Sequence, residues 1–76
     1  MTTHNTNLIR MANQIGTFFE SMPDREEALQ GIATHLKKFW DPRMRQAFLA
    51  QVDDGNSLEI SPIVLAAARE YRALIA

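Results

Sequence analysis

One stretch decides the fold of this chain: Phe39-Trp40-Asp41-Pro42-Arg43-Met44-Arg45. Pro42 suits the first turn of a helix, where a missing backbone N–H leaves no hydrogen bond unmade, and Asp41 before it is a favoured N-cap residue. Phe39 and Trp40 end the apolar stripe that precedes them. The stretch therefore predicts an α–α corner, at which one helix ends, the next begins and two arginines lie close to the single Trp.

Apolar residues recur at steps of three and four on both sides of this corner, which is the spacing of one helix face. The pattern predicts four helices: from about Thr6 or Asn7 to Ser21, from the Asp24 cap to the corner, from Pro42 to the turn Asp54-Gly55-Asn56-Ser57, and from Ser61-Pro62 towards Ala76. The predicted fold is an all-α, small four-helix bundle with short α–α corners. Residues 1–76 are predicted to form a single helical domain, with residues 1–6 as a flexible N-terminal tail.

The predicted core takes its members from these stripes: Leu8, Ile15, Phe18, Phe19, Leu29, Ile32, Leu36, Phe39, Phe48, Val52, Ala67 and Tyr71. Gly16 and Gly31 fall inside predicted helices, where each costs roughly 0.5–1 kcal/mol relative to Ala. Two interpretations remain open for these glycines. They indicate either close packing between helices or close approach of a partner's backbone.

The composition limits the classes of protein to which the chain can belong. A core in a chain of 76 residues rarely contributes more than about 3–5 kcal/mol without a disulfide, a metal or a partner. The chain has no Cys, which excludes disulfides and thiolate metal sites, so association with a partner is the expected support. No apolar run approaches the ~20 residues of a membrane span. The N-terminus does not have the layout of a signal peptide, so a cytoplasmic location is expected.

Patterns that carry catalysis or metal binding are not found in the sequence. His35 has Gly31 and Phe39 at the four-residue spacings, so no metal-binding histidine pair exists on its helix. Neighbouring carboxylates such as Glu26 and Glu27 point apart on a helix, and no glycine-rich phosphate loop is present. The sequence therefore predicts no catalytic, cofactor-binding or metal-binding residues in this chain.

Charged residues at the corner provide the first candidate binding site. The second predicted helix follows the helix dipole, with acidic residues at its start and Lys37 and Lys38 at its end. The third does the reverse, because Arg43 and Arg45 lie at its positive end. One interpretation is that Asp41 and a carboxylate of a neighbouring helix neutralise the arginines. The other is a basic patch for an acidic partner surface, formed at the corner by Lys37, Lys38, Arg43 and Arg45, with Trp40 beside it as a further candidate partner-binding residue.

A polar stripe on the first helix provides the second candidate, comprising Arg10, Asn13, Gln14 and Thr17. It is either a solvated face or an interface, and its amide side chains, which make directional hydrogen bonds, favour the interface.

If Arg43 and Arg45 dock a partner, replacing both by Ala should hardly change the stability of the free chain.

Two segments resemble the signature stretches of the delta subunit of soluble NAD-dependent formate dehydrogenases. They are Leu8-Ile9-Arg10-Met11-Ala12-Asn13-Gln14-Ile15-Gly16-Thr17-Phe18-Phe19 and His35-Leu36-Lys37-Lys38-Phe39-Trp40-Asp41-Pro42-Arg43-Met44-Arg45. Leu58, Ser61-Pro62 and the alanine-rich helix after them are similar too, so the resemblance spans about residues 7–72.

The resemblance implies a non-catalytic accessory subunit of a complex that oxidises formate to carbon dioxide and reduces NAD. Its implied role is to support assembly or stability of the molybdenum-containing catalytic subunit, which is the expected partner among the larger formate dehydrogenase subunits. The molybdenum–pterin, iron–sulfur, FMN and NAD groups are expected in those partner subunits, and none in this chain.

Two other functions remain open from the sequence. One is a stand-alone helical adaptor module for protein–protein interaction. The other is a nucleic-acid-binding protein that uses the basic residues of the corner and stacks bases on Trp40, although a net charge of -1 argues against it. A homodimer in isolation is also predicted, with Leu65, beside Arg69 and Arg72, as a candidate exposed apolar residue.

Overall fold

Helices form every regular element that the structure describes. The structure is a computed structural model that describes residues 3–54 and 58–76, with side chains from residue 7 onward. The helices are α1 (Thr3–Glu20), α2 (Arg25–Phe39), α3 (Pro42–Asp53), α4 (Pro62–Glu70) and α5 (Arg72–Ile75). The predicted all-α class is confirmed. The four-helix bundle is not confirmed, because the predicted fourth helix is divided at Tyr71.

The two predicted aspartate caps are confirmed. Asp24 accepts hydrogen bonds from the backbone N–H groups of Glu26, at 2.9 Å, and Glu27, at 3.2 Å, and so fixes the start of α2. Asp41 accepts from the N–H of Met44 at 2.9 Å, with Pro42 as the first residue of α3. Each cap satisfies backbone donors that have no partner within the helix. The α–α corner is therefore built as its sequence indicates.

The start of α1 differs from the prediction. The helix begins at Thr3, before the predicted start at about Thr6 or Asn7. The flexibility of residues 1–6 stays a prediction. Neither Pro nor Gly occurs between Thr3 and Asn7, and a helix that is already nucleated gains one hydrogen bond for each residue it adds. Residues 1–2 and the predicted turn residues Gly55, Asn56 and Ser57 lie outside the described residues.

Tyr71 divides the last helix into two. Its φ of -114° and ψ of 30° depart from helical values, and α5 after it contacts α2. After the break, Ile75 lies in the core with 0 % of its surface exposed. The Tyr71 hydroxyl donates to the carboxylate of Glu26, and this hydrogen bond is the main cause that raises the pKa of Tyr71 to about 12. The phenol therefore stays protonated at neutral pH.

Helix α2 lies at the centre of the fold, in contact with α1, α4 and α5. One face of α2 is buried along its length, and α1, α3 and α4 each contribute to the same core. The buried apolar residues are Leu8, Ile9, Ala12, Ala28, Leu29, Ile32, Ala33, Leu36, Trp40, Phe48, Leu49, Val52, Ile60, Ile63, Val64, Ala67, Ala68 and Ile75. Seven predicted core residues are among them: Leu8, Leu29, Ile32, Leu36, Phe48, Val52 and Ala67.

The core prediction is wrong for Phe18 and Phe39, which are 72 % and 71 % exposed. Gly16 is the position of α1 that packs on α4. Phe18 follows it by two residues and therefore lies roughly 200° around the helix from that contact. Phe39 follows the buried Leu36 by three residues, but the buried stripe continues four residues on, at Trp40. Three other predicted core residues are only half-buried and pack at the edge of the core: Ile15, Phe19 and Tyr71.

The two helical glycines mark close packing between helices, which was one of their two interpretations. A Cβ at Gly16 would lie 2.5 Å from a Val64 methyl carbon, and one at Gly31 would lie 2.5 Å from the ring of Phe19. Real Cβ atoms do not approach other carbon atoms so closely. Gly16 therefore sets the distance between α1 and α4, and Gly31 the distance between α1 and α2.

Replacing Gly16 by Ala is expected to destabilise the fold more than replacing Gly31 by Ala. Val64 is fully buried and β-branched, so it cannot move away, and the overpacking should cost about 1–3 kcal/mol, less a gain of about 1 kcal/mol in helix propensity. Phe19 is half-buried and its ring can turn outward, so Gly31→Ala should change stability by less than about 1 kcal/mol. Urea unfolding of both variants measures this, and a larger loss in Gly31→Ala would contradict it.

Candidate docking surface

Arg45 is part of the folded structure of the corner and does not lie on its surface. The residue is only 9 % exposed. Its Nη1 donates to the carbonyl oxygen of Lys37 at 3.0 Å and to that of Trp40 at 2.8 Å. These carbonyls belong to the end of α2, where helix geometry leaves them without partners. Arg45 therefore caps the C-terminus of α2, and the prediction that it docks a partner does not fit this geometry.

This position also explains why Arg45 occurs at the start of α3. The end of α2 carries partial negative charge, so a cation there is favourable although the same residue opposes the dipole of its own helix. Neither predicted interpretation anticipated this, because Arg45 is neutralised by carbonyl dipoles and not by a carboxylate. Its Nε is buried and has no hydrogen-bond partner among the described residues.

Trp40 was predicted as a partner-binding residue, but the structure places most of its ring inside the fold. The residue is 5 % exposed and packs edge-to-face against Phe48, with the ring centroids 5.9 Å apart. Trp40 follows α2 in an extended conformation, with φ of -94° and ψ of 137°, and this change of direction places the ring in the core. A buried ring cannot stack on bases, so the nucleic-acid alternative loses the aromatic residue on which it depended.

Asn13 is a structural clamp within the predicted polar stripe. Its Nδ2 donates to the carbonyl oxygen of Glu59 at 2.9 Å, and its Oδ1 accepts from the N–H of Ser61 at 2.9 Å. The amide therefore holds the connector that leads into α4. Ser61 precedes α4 but makes no capping bond with its hydroxyl, and its Oγ lies buried near Gly16.

Replacing Asn13 by Ala is expected to destabilise the chain by about 1–3 kcal/mol, because one carbonyl and one N–H lose their partners. Asn13→Asp should also destabilise it, since a carboxylate accepts from Ser61 but repels the carbonyl oxygen of Glu59. Gln14→Ala is the matched control, because Gln14 is exposed on the next position of the helix. Thermal melting compares the three variants, and equal melting temperatures for Asn13→Ala and Gln14→Ala would refute the clamp.

The predicted site residues that remain exposed are Arg10, Gln14, Lys37, Lys38 and Arg43. Within residues 7–54 and 58–76, their side chains make no ion pair or hydrogen bond, and the ion pair found there joins Arg72 to Asp53 at 2.7 Å. Asp53 ends α3, where its charge opposes the helix dipole, and Arg72 neutralises it. The exposed cations, by contrast, have no carboxylate partner in the described part of the chain.

Between α1 and α2 lies a groove that the sequence did not reveal. We call it the aromatic groove; its lining residues are Met11, Gln14, Ile15, Phe18, Phe19, His35 and Trp40, and its volume is about 480 Å³. A second hollow of about 450 Å³ adjoins it, since Phe19 and His35 line both. Phe18 packs edge-to-face on Phe19, with the ring centroids 5.1 Å apart, and the rings of Phe39 and His35 have centroids 4.8 Å apart. The exposed ring of Phe18 therefore lines the aromatic groove, and that of Phe39 lines the adjoining hollow.

The apolar residue predicted to favour self-association is not the one that the structure exposes. Leu65 is half-buried and packs against the core. The exposed apolar residue is instead Phe18. The sequence contained a signal for this, because Gly16 identifies the packed face of α1 and Phe18 falls on the opposite side of the helix. The homodimer itself stays a prediction.

The side chains of this chain offer few ligands for an iron–sulfur cluster or a metal ion. The sequence has no Cys for an iron–sulfur cluster. Among the described residues, no three His, Asp or Glu side chains come together in a way that could hold a metal ion. No helix in that part of the chain has both the length and the apolar character needed to cross a membrane. The surface thus offers a groove and unpaired cations, which suit binding to a protein.

Comparison with known proteins identifies the family. Over residues 7–68 the chain matches the family described as "NADH-dependant formate dehydrogenase delta subunit FdsD". No curated protein and no solved structure matches it. The matched range covers most of the chain and contains the groove, the corner and both segments on which the resemblance rests. The chain therefore belongs to the formate dehydrogenase delta subunit family.

Proposed function

We propose that this chain is a non-catalytic accessory subunit that binds the molybdenum-containing subunit of a formate dehydrogenase complex and supports its assembly or stability. The observation that carries the proposal is a pair of Phe side chains that are each more than 70 % exposed, Phe18 in the aromatic groove and Phe39 in the adjoining hollow. A soluble chain gains nothing from leaving such rings in water, whereas a subunit that docks on a larger one covers them.

Membership of the delta subunit family supports a partner among the formate dehydrogenase subunits. The cofactors form part of the same proposal: molybdenum–pterin, iron–sulfur, FMN and NAD are held by the larger subunits, and the complex operates in the cytoplasm. The unpaired Lys37, Lys38 and Arg43 at the corner favour an acidic region of the partner. Of the predicted docking residues, Arg10 and Gln14 also remain available, whereas Asn13 and Arg45 serve the fold. Trp40 is buried but contributes to the lining of the aromatic groove.

Co-expression with and without this chain tests the proposal. A tagged chain should retain the molybdenum-containing subunit through size exclusion, and omission of the chain should lower the molybdenum content and formate-dependent NAD reduction per mole of purified complex. If the complex assembles with full molybdenum content and activity without the chain, and the tagged chain retains none of its subunits, the proposal is wrong. The adaptor function would then be the remaining explanation of the exposed groove.

A further inference from the structure

We propose that the aromatic groove holds one amphipathic α-helix of the larger subunit, with the acidic first turn of that helix beside Lys37 and Lys38. This inference rests on the proposed function and specifies the partner's chemistry and direction. It is carried by the shape of the groove, the nature of its walls and the distribution of charge along it.

The aromatic groove and the adjoining hollow together have a length that suits about three helical turns. On α1 the lining of the two hollows extends from Met11 to Met22, which is roughly 17 Å at a rise of about 1.5 Å per residue. The lining is mostly apolar, and Phe18 and Phe39 flank it as exposed rings. Aromatic anchors of this kind dominate the free energy of binding in many interfaces.

A helix is the occupant that these walls favour. Both walls are α-helices, so their backbone N–H and C=O groups are already paired within α1 and α2 and cannot pair with another chain. An extended peptide buried here would lose its backbone hydrogen bonds to water without replacing them. A helix satisfies its own backbone and presents apolar side chains at steps of three and four, as in other helix-in-groove complexes.

The charges give the groove a basic end and an acidic end. Helices α1 and α2 are antiparallel, since Met11 and Trp40 share the first hollow whereas Phe19 packs on Gly31. The end formed by the start of α1 and the end of α2 carries exposed cations: Arg10, Lys37, Lys38 and, in the following corner, Arg43.

The opposite end of the groove is acidic. Glu27 lines the second hollow there, near the Asp24 cap and Glu20 at the end of α1. A helix with acidic residues in its first turn complements the basic end and also obeys its own dipole, so it runs antiparallel to α2.

A second copy of this chain fits the groove less well. In a two-fold dimer the same surface lies on both sides of the interface, so one groove would face another. No ridge would then fill the volume of about 480 Å³. The larger subunit has no such symmetry constraint.

The first experiment removes both aromatic anchors from the full chain. Phe18→Ala combined with Phe39→Ala should weaken binding to the purified molybdenum-containing subunit by about thirtyfold or more, the effect of one interface hot spot. The melting temperature of the free chain should hardly change, because both rings are exposed. Leu58→Ala is the matched control: Leu58 is 99 % exposed but does not line the groove, so its removal should leave binding within about threefold.

The outcomes separate this inference from the proposed function. If the unaltered chain binds and the double variant binds equally well, the groove is not the docking site, although the accessory role stands. If the unaltered chain does not bind any larger subunit, the proposed function fails and this inference fails with it.

The second experiment identifies the occupant and does not depend on the stability of a variant. A photo-crosslinking benzophenone residue replaces Gln14 in the groove or, as the control, Gln46, which is exposed on α3. We expect the Gln14 position to capture a segment of the larger subunit with apolar residues at helical spacing and Asp or Glu at its start. Capture of a basic or non-helical segment, or of a second copy of this chain, would overturn the inference.

Discussion

Replacing Arg45 by Ala is expected to lower the free energy of unfolding of the isolated chain by about 2–4 kcal/mol. The substitution removes two charge-assisted hydrogen bonds, to the carbonyls of Lys37 and Trp40. It also leaves these carbonyls without partners beside a buried Trp ring, where water cannot easily replace the guanidinium. For a chain of this size the loss should appear as a fall of about 10 °C or more in melting temperature.

The matched control is Arg43→Ala. Arg43 is exposed at the start of α3, so its removal relieves an unfavourable dipole contact and should change stability by less than about 0.5 kcal/mol. Arg45→Lys should recover only part of the loss, because an ammonium group lacks the rigid fork of guanidinium. Thermal melting followed by circular dichroism compares the three variants. Equal melting temperatures for Arg43→Ala and Arg45→Ala would mean that Arg45 does not stabilise the corner.

The two arginines illustrate which features of the site could be predicted from the sequence. The dipole argument correctly identified an unusual pair of cations at the start of α3, but it considered only the helix to which they belong. Arg45 turns back to the end of α2, and that direction depends on how the corner brings two helix termini together. A sequence pattern contains no information about a contact of this kind.

Local features, by contrast, were predicted correctly because their causes are local. Asp24, Asp41 and Pro42 act within one turn of their own position, and the structure places each where the sequence indicates. The position of Asn13 on its helix was also clear, but its role was not. Its partners Glu59 and Ser61 lie more than 40 residues away in the sequence, so only the packing of α1 against the connector could reveal the clamp.

The docking surface that results is smaller than the predicted one and differs in character. Asn13, Trp40 and Arg45 are used by the fold, and the exposed cations Lys37, Lys38 and Arg43 remain. The groove adds Phe18 and Phe39, which sequence periodicity assigned to the core. When the apolar stripe of a helix is wider than the face that packs on the core, the residues at its edges stay exposed. Those residues are candidates for binding a partner.

The neighbours Phe39 and Trp40 provide the sharpest test, because the structure reverses their predicted roles. Trp40→Ala should destabilise the chain by about 3–5 kcal/mol, since it removes a buried ring and its contact with Phe48. A domain of 76 residues without disulfides or a metal rarely has a total stability above about 3–5 kcal/mol, so this variant should be largely or wholly unfolded at 37 °C. Phe39→Ala should change stability by less than about 0.5 kcal/mol, because the ring is 71 % exposed.

Binding should rank the same two variants differently from stability. Phe39→Ala should fold normally and bind the larger subunit more weakly, whereas Trp40→Ala should recover helicity only when the partner is present in excess, because binding stabilises the folded state by mass action. Urea unfolding and a binding titration on each variant measure the two effects separately. If Phe39→Ala unfolds and Trp40→Ala does not, the ring at position 39 belongs to the core and the orientation of the corner is wrong. Normal folding of both variants, with binding lost only in Trp40→Ala, would restore Trp40 as the residue that contacts the partner.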